Sequence, residues 1–251
     1  MAPTVVEFLK LPMNKIIEKL DFKNVLTFRH VCKDLQNFID DDSNSSILPE
    51  AHLSTIIIVV DTGITISYFW STHHTTLHYE LQENCNCLKT LNGKKKILVE
   101  NVDFLDVAMR DLELILKFQK SEIETFTRMR FDPNNSRIVR SFDKLSEKLN
   151  AALKQRETFL KVKILELSVF KQSEVMAILP NVDPEILKTI SIDSVCWGYP
   201  EILRVDGILK TEQWRKAEEF NFHIHNFSEK LEVFIIFNKV IESEILKFRD
   251  R

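Results

Sequence analysis

Glycine is scarce in this chain. Gly63, Gly93, Gly198 and Gly207 are the four present among 251 residues, and no two lie close together. A phosphate-cradling loop and a dinucleotide-binding turn both need clustered glycines so that backbone N–H groups can approach a phosphate. Neither can be built here in its usual form. Cysteine is almost as sparse, with Cys32, Cys85, Cys87 and Cys196 too few and too scattered for a disulfide framework. A reducing compartment, cytoplasmic or nuclear, is the expectation. Long apolar runs are missing too: the longest β-branched stretch, Ile56 to Val60, is strand-sized, where a membrane helix needs about 18 apolar residues. Glu7 and Lys10 interrupt the first ten residues, so a secretory leader is not expected, and neither is a membrane partner. Excess positive charge is absent, since the formal charge is -3 and Lys94-Lys95-Lys96 is the sole basic run, read as a solvated turn. Without a clustered basic face, nucleic acid is not an expected partner.

Enzyme signatures are equally thin. There is no Gly-x-Ser-x-Gly elbow and no His-Glu-x-x-His helix. Cys85 and Cys87 with His73, His74 and His78 are of the right chemistry for zinc. However, structural zinc sites separate paired cysteines by two residues or more, and a second pair is missing. No metal and no cofactor are expected. Cys32 beside Lys33 has a cation to lower its thiol pKa but no local His or Asn partner, and its place in an apolar period marks it for packing. An enzyme assembled from distant residues such as His73, Cys85 and Asp106 remains a formal rival.

What is present is a core-forming composition: 44% hydrophobic residues, including 18 Phe, against 28% charged. That balance specifies folded protein rather than disorder. In the first forty residues the apolar spacing is helical, with Met13, Ile16, Ile17 and Leu20 at i, i+3, i+4 and i+7 and then Phe28, Cys32, Leu35 and Ile39. Pro12 suits a first helical turn and Asp21 a helix cap. So small a helical unit has more apolar residues than its own core can consume, and it calls for a partner surface. Asp40 to Ser46 is polar and turn-forming, and it marks a boundary.

Beyond it, Ile56 to Val60 and Ile64 to Phe69, separated by Asp61-Thr62-Gly63, read as a β-hairpin, with Thr76 to Leu81 as a third strand. Helix signals follow at Phe104 to Phe118, Arg137 to Leu153, Ser173 to Leu179 and Ile208 to Trp214, each trailed by a short strand. These strands share an apolar-x-x-apolar-x-apolar spacing: Phe126/Met129/Phe131, Val162/Leu165/Leu167, Leu187/Ile190/Ile192, Ala217/Phe220/Phe222 and Leu231/Phe234/Ile236. The expected fold class is α/β: an N-terminal three-helix unit, residues 1–42, a linker, residues 43–46, and an irregular leucine-rich-repeat-like stack of strands and helices over residues 47–251. The named apolar residues are expected to face the core and the intervening ones an exposed strand surface. That surface would carry Arg128 and Arg130, then Glu166, Ser191, Glu219, Asn221 and His223, turning from basic to acidic. His223 and His225 flank Ile224 on one strand face. In the last strand Val233, Ile235 and Phe237 are apolar where polar residues are expected, and either the helix from Val240 to Phe248 covers them or they form a binding patch.

Two resemblances add names. Leu11-Pro12, Ile16, Leu20-Asp21, Leu26, Arg29, Val31-Cys32-Lys33, Leu35 and Ile39 resemble the F-box motif along its length. Asn14 stands where that motif often has an acidic residue. Phe159 to Lys163, Val175 to Pro180 with Leu187 to Ile190, and Glu212 to Ala217 resemble the FTH domain, which follows an F-box in a large group of nematode proteins. The resemblance implies that Leu11, Pro12, Ile16, Leu20, Leu26 and Val31 pack into a Skp-family adaptor, which joins a cullin complex. It implies also that the rest of the chain recognises a target protein, unidentified, without catalytic residues of its own. A scaffold or sequestering role without ubiquitin transfer is the alternative.

Overall fold

The computed structural model describes residues 12–82, 87–130, 136–194 and 203–224. Its helical start consists of α1, residues 12–17, α2, Phe22–Arg29, and α3, Lys33–Asp40. Asp21 caps α2, accepting a hydrogen bond from the Asn24 amide at 2.7 Å, which satisfies one of the donors a helix start leaves open. Helical periodicity then turns Phe22, Val25, Leu26 and Arg29 inward. Residues 43–46, expected as a linker, lie inside a 3-10 turn, Asp42–Ile47. Asn44 in that turn is buried and donates from Nδ2 to the Phe38 carbonyl at 2.9 Å.

Among the described residues, the remainder is built on one nine-stranded sheet with the order β5-β4-β3-β2-β1-β6-β7-β8-β9. Its strands are β1, Thr55–Val60; β2, Ile64–Phe69; β3, His74–Leu81; β4, Cys87–Leu91; β5, Lys95–Val99; β6, Ile123–Arg130; β7, Val162–Val169; β8, Thr189–Ser194; and β9, Glu219–Ile224. From β1 outward to β5 the pairing is antiparallel, and from β1 through β6 to β9 it is parallel and in chain order. The expected hairpin and third strand are β1, β2 and β3. Strands β4 and β5 have no counterpart in the sequence reading, because Lys89 and Thr90 break the apolar signal of the one and Lys95 and Lys96 open the other.

Parallel neighbours need crossovers, and helices supply them. Between β5 and β6 runs α4, Phe104–Phe118, capped by Asp103, which accepts from the Leu105 amide at 2.9 Å. Between β6 and β7 runs α5, Ser136–Lys154. The expected helix at Ser173 to Leu179 is shorter: α6, Gln172–Met176, followed by a 3-10 turn at Leu179–Asn181. The one expected at Ile208 to Trp214 is divided at Thr211 into a 3-10 turn, Ile208–Lys210, and α7, Glu212–Lys216, because the Thr211 side chain caps the second piece by accepting from the Trp214 amide.

Alternating burial identifies the covered face of the sheet. Ile56, Ile58 and Val60, Ile64, Ile66 and Tyr68, and Leu77 and Tyr79 are at most 3% exposed. Their neighbours in sequence are half-buried and pair across strands, as Ser67 does with Thr76 at 3.0 Å and Thr65 with His78 at 2.9 Å. α4 packs on β2, β3 and β4, and α6 on β7. The core is continuous: Ile17, Phe22, Val25, Phe38 and Ile39 of the helical start belong to the same buried cluster as the sheet. Where an irregular leucine-rich-repeat-like stack was expected, the described residues between 55 and 224 form one mixed sheet, half meander and half parallel.

Candidate functional site

The residues expected at an adaptor surface separate into two groups. Ile16 is 47% exposed and Val31 64% exposed, and Pro12 is also exposed. Leu20 is half-buried and packs against the core, while Leu26 faces inward at 9% exposure. Leu11 lies outside the described residues. Helical geometry explains the division: Leu26 falls on the inward stripe of α2 with Phe22, Val25 and Arg29, whereas Val31 follows the end of that helix and points away from the stripe. Leu26 therefore packs in the chain's own core rather than being offered at the surface.

Beneath this outer face lies a buried charge network that the sequence reading did not single out. Arg29 on α2 is 2% exposed and holds Asp40 on α3 through two bonds, Nε at 2.6 Å and Nη2 at 2.8 Å. Its Nη1 reaches Asp111 on α4, which is also bound by Lys89 on β4 and by the Tyr79 hydroxyl on β3. One carboxylate thus ties three cation or hydroxyl donors together across the junction between the helical start and the sheet. Burial by itself would raise the Asp111 carboxyl, but Lys89 and Arg29 overcome it and bring its pKa down to about 2. Burial lowers Lys89 despite Asp111, whereas Arg29, facing two carboxylates, stays above its ordinary value against the same burial. His30, with Lys89 Nζ 3.3 Å from Nε2, is brought down to about 4 by burial and then by the Lys89 charge. A sequence signal did exist: Arg29 interrupts the apolar stripe of α2, and Asp111 lies one position before Leu112 in that of α4. A small cleft of about 80 Å³ opens beside this network, lined by Leu26, His30, Leu77, Leu91 and Ile115. Small-molecule sites are usually several hundred Å³.

On the sheet, Arg128 and Arg130 require a correction. Both were expected on the exposed strand surface, and they are 0% and 4% exposed. A strand alternates faces with period two, so the three-residue step from Phe126 to Met129 crosses the sheet. Phe126, Arg128 and Arg130 share the covered face, and Met129 is left 36% exposed on the other. Arg128 donates to Ser146 Oγ at 2.8 Å and to the Glu174 carbonyl at 3.3 Å, and lies over the Phe142 ring at 4.4 Å. Burial lowers its pKa to about 10. Arg130 lies over Phe170 at 3.5 Å.

The other expected surface residues fall on the face opposite the helices. Glu166 is half-buried and accepts from Thr127 at 2.8 Å, Ser191 is its half-buried neighbour, and Asn221 follows on β9 in the same register. Glu219 is exposed and accepts from Thr189 at 3.2 Å. His223 occupies the next position on β9, in register with Asp193. With the arginines withdrawn, the expected basic end of this surface disappears. His225, Phe131, the strand at Leu231 to Ile236 and the helix from Val240 to Phe248 lie outside the described residues, as do Cys85 and Cys196. Cys87 is buried, its thiol pushed up to about 11 by that burial, and no metal-binding group of three ligands occurs among the described residues. Nor is any described helix long and apolar enough to cross a membrane.

Two segments match known families. Residues 9–46 match the F-box domain and residues 143–249 match the FTH domain. The segment between them carries the antiparallel half of the sheet, α4 and β6. No curated protein and no solved structure matches the chain.

Proposed function

We propose that this chain, an F-box protein with a C-terminal FTH domain, is the substrate-recognition subunit of a Skp–cullin–F-box ubiquitin ligase. F-box domains bind Skp-type adaptors, and the observation that carries the reading is the F-box match together with Ile16 and Val31 standing exposed on the segment it covers. Apolar side chains left outside a core on a short helical unit are what a partner's groove desolvates. Pro12 and Leu20 extend that patch, and Leu11 and Leu26 complete the set, Leu26 by supporting the patch from within. Catalysis is supplied by the partner subunits. The chain's contribution is proximity, which raises the effective concentration of a target lysine near a charged conjugating enzyme.

The target is read by the sheet. Its parallel half repeats strand and crossover in chain order from β6 to β9, in the manner of an irregular repeat stack, and presents Glu166, Ser191, Glu219, Asn221 and His223 on the face away from the helices. The test is recovery of the adaptor with the purified chain. Ile16→Asp with Val31→Asp changes two exposed positions, so the fold is retained and adaptor recovery falls by roughly a hundredfold, two anchors at about 1.4 kcal/mol or more each. Undiminished recovery would place adaptor docking elsewhere.

A further inference from the structure

Among the described residues the sheet ends at β5 on one side. A terminal strand presents a row of backbone N–H and C=O groups on its free side, which proteins ordinarily cover, shorten or charge. Here no described residue pairs with the outer side of β5. Lys94, Lys95 and Lys96 are all exposed at its beginning, and Leu98 is 53% exposed toward its end, with Ile97 and Val99 half-buried. Lysines along an edge keep like edges apart. The same three charges, followed within two residues by an exposed leucine, complement a segment that is acidic at one end and apolar at the other. The edge also starts beside the F-box unit, since Lys95 Nζ donates to the His30 carbonyl at the end of α2, 3.2 Å away.

We infer that β5 is a strand-addition site that takes an extended acidic–apolar peptide segment of a protein partner. The incoming segment forms a tenth strand, its backbone pairing with the free side of β5, its acidic residues meeting Lys94 to Lys96 and its apolar ones covering Leu98. Backbone bonds supply the attachment and the side chains its selectivity. This rests on the receptor reading and deepens it, because it specifies the chemistry of a target segment and places its capture next to the adaptor-binding helices.

The experiment uses the full chain and a fluorescein-labelled hexapeptide of three valines followed by three glutamates, the antiparallel match to the edge, with the reversed order as the parallel match. Anisotropy is expected to show one order binding with a Kd of about 1 mM or tighter. The same peptide with every backbone amide methylated should lose binding, because it keeps the charge and removes the donors. Lys94→Glu, Lys95→Glu and Lys96→Glu together should weaken the acidic peptide at least tenfold and admit a peptide of valines and lysines instead. The inference is overturned by no binding of either order, by equal binding of the methylated peptide, or by indifference of the triple variant. Adaptor recovery measured on the same triple variant separates the two readings: retained adaptor with an inert edge removes this inference alone, whereas a wild-type chain that recovers no adaptor removes the receptor reading.

Discussion

Asp111 sets the energetics of the junction at the scale of single residues. It is 4% exposed and is the shared acceptor for Arg29, Lys89 and Tyr79. Removing one member of a buried ionic group leaves the others desolvated and unpaired. Asp111→Ala is therefore expected to cost about 3–5 kcal/mol, read as a fall in the urea midpoint, far more than an exposed-pair change such as Asp106→Ala. His30 adds a pH dependence. Its folded pKa of about 4 lies below the ordinary 6.5, so it stays neutral in the fold while the unfolded chain takes up a proton. The unfolded state binds more protons between those values, and stability falls as pH drops from about 6.5 to 4. The charged groups facing His30 are Lys89, Asp111, Arg29 and Lys95. Asp111, depressed to about 2, stays ionised until below the same window, so its own contribution is lost only as pH falls further. The urea midpoint of the wild type should fall between pH 7 and pH 5, and that of His30→Asn should fall much less; equal slopes would show that His30 is not the titrating group. Arg128 offers a third test. Bound to Ser146 and the Glu174 carbonyl over Phe142, it is also the main cation acting on the buried Glu174 carboxyl. Arg128→Met should lose about 3 kcal/mol or more, because it leaves the buried Glu174 carboxyl without its main cation, and Arg128→Glu, which places a second carboxyl beside Glu174, should lose no less in the same denaturation.

At the scale of elements, two hairpin turns use glycine for different reasons. Gly63, between β1 and β2, has Tyr79 O of the adjacent β3 only 2.3 Å from where a Cβ would stand, so the requirement is close approach of two backbones. Gly93, between β4 and β5, has φ +68° and open space around it, so there the requirement is the left-handed conformation. Gly63→Ala should thus displace β3 and cost about 2–3 kcal/mol, while Gly93→Ala should cost about 1 kcal/mol and leave the sheet in place. Thermal denaturation of the two variants would order them, and the reverse order would contradict the backbone contact. The strands themselves were legible to different degrees. β1 and β2 announce themselves by β-branched runs around a turn. β4 does not, because its buried Lys89 is polar in the sequence and is admitted to the core only by Asp111, a partner 22 residues away.

For the molecule as a whole, the continuous core and the Arg29–Asp111 bond predict that the F-box unit and the sheet unfold together. Unfolding followed by tryptophan fluorescence, with Trp70 and Trp214 among its reporters, and by helical circular dichroism should give coincident transitions with one midpoint. Two separated transitions would restore the picture of independent modules. The sequence by itself determined the helical start, the hairpin with its third strand, the helix and strand order from α4 to β9 and the F-box and FTH resemblances, because each rests on local periodicity or on a contiguous motif. Even there the F-box motif left open which of its apolar members stand outside. Tertiary structure alone decided that Leu26 is core and Val31 surface, since Leu26 lies on the inward stripe of α2 and Val31 follows the end of that helix. It decided also that Arg128 and Arg130 lie under the helices, because face assignment depends on strand register and not on apolar spacing. The charge network was beyond local reading for the same reason: its members come from α2, α3, α4, β3 and β4, and a buried charge is stabilised only by partners that the fold brings from elsewhere in the chain.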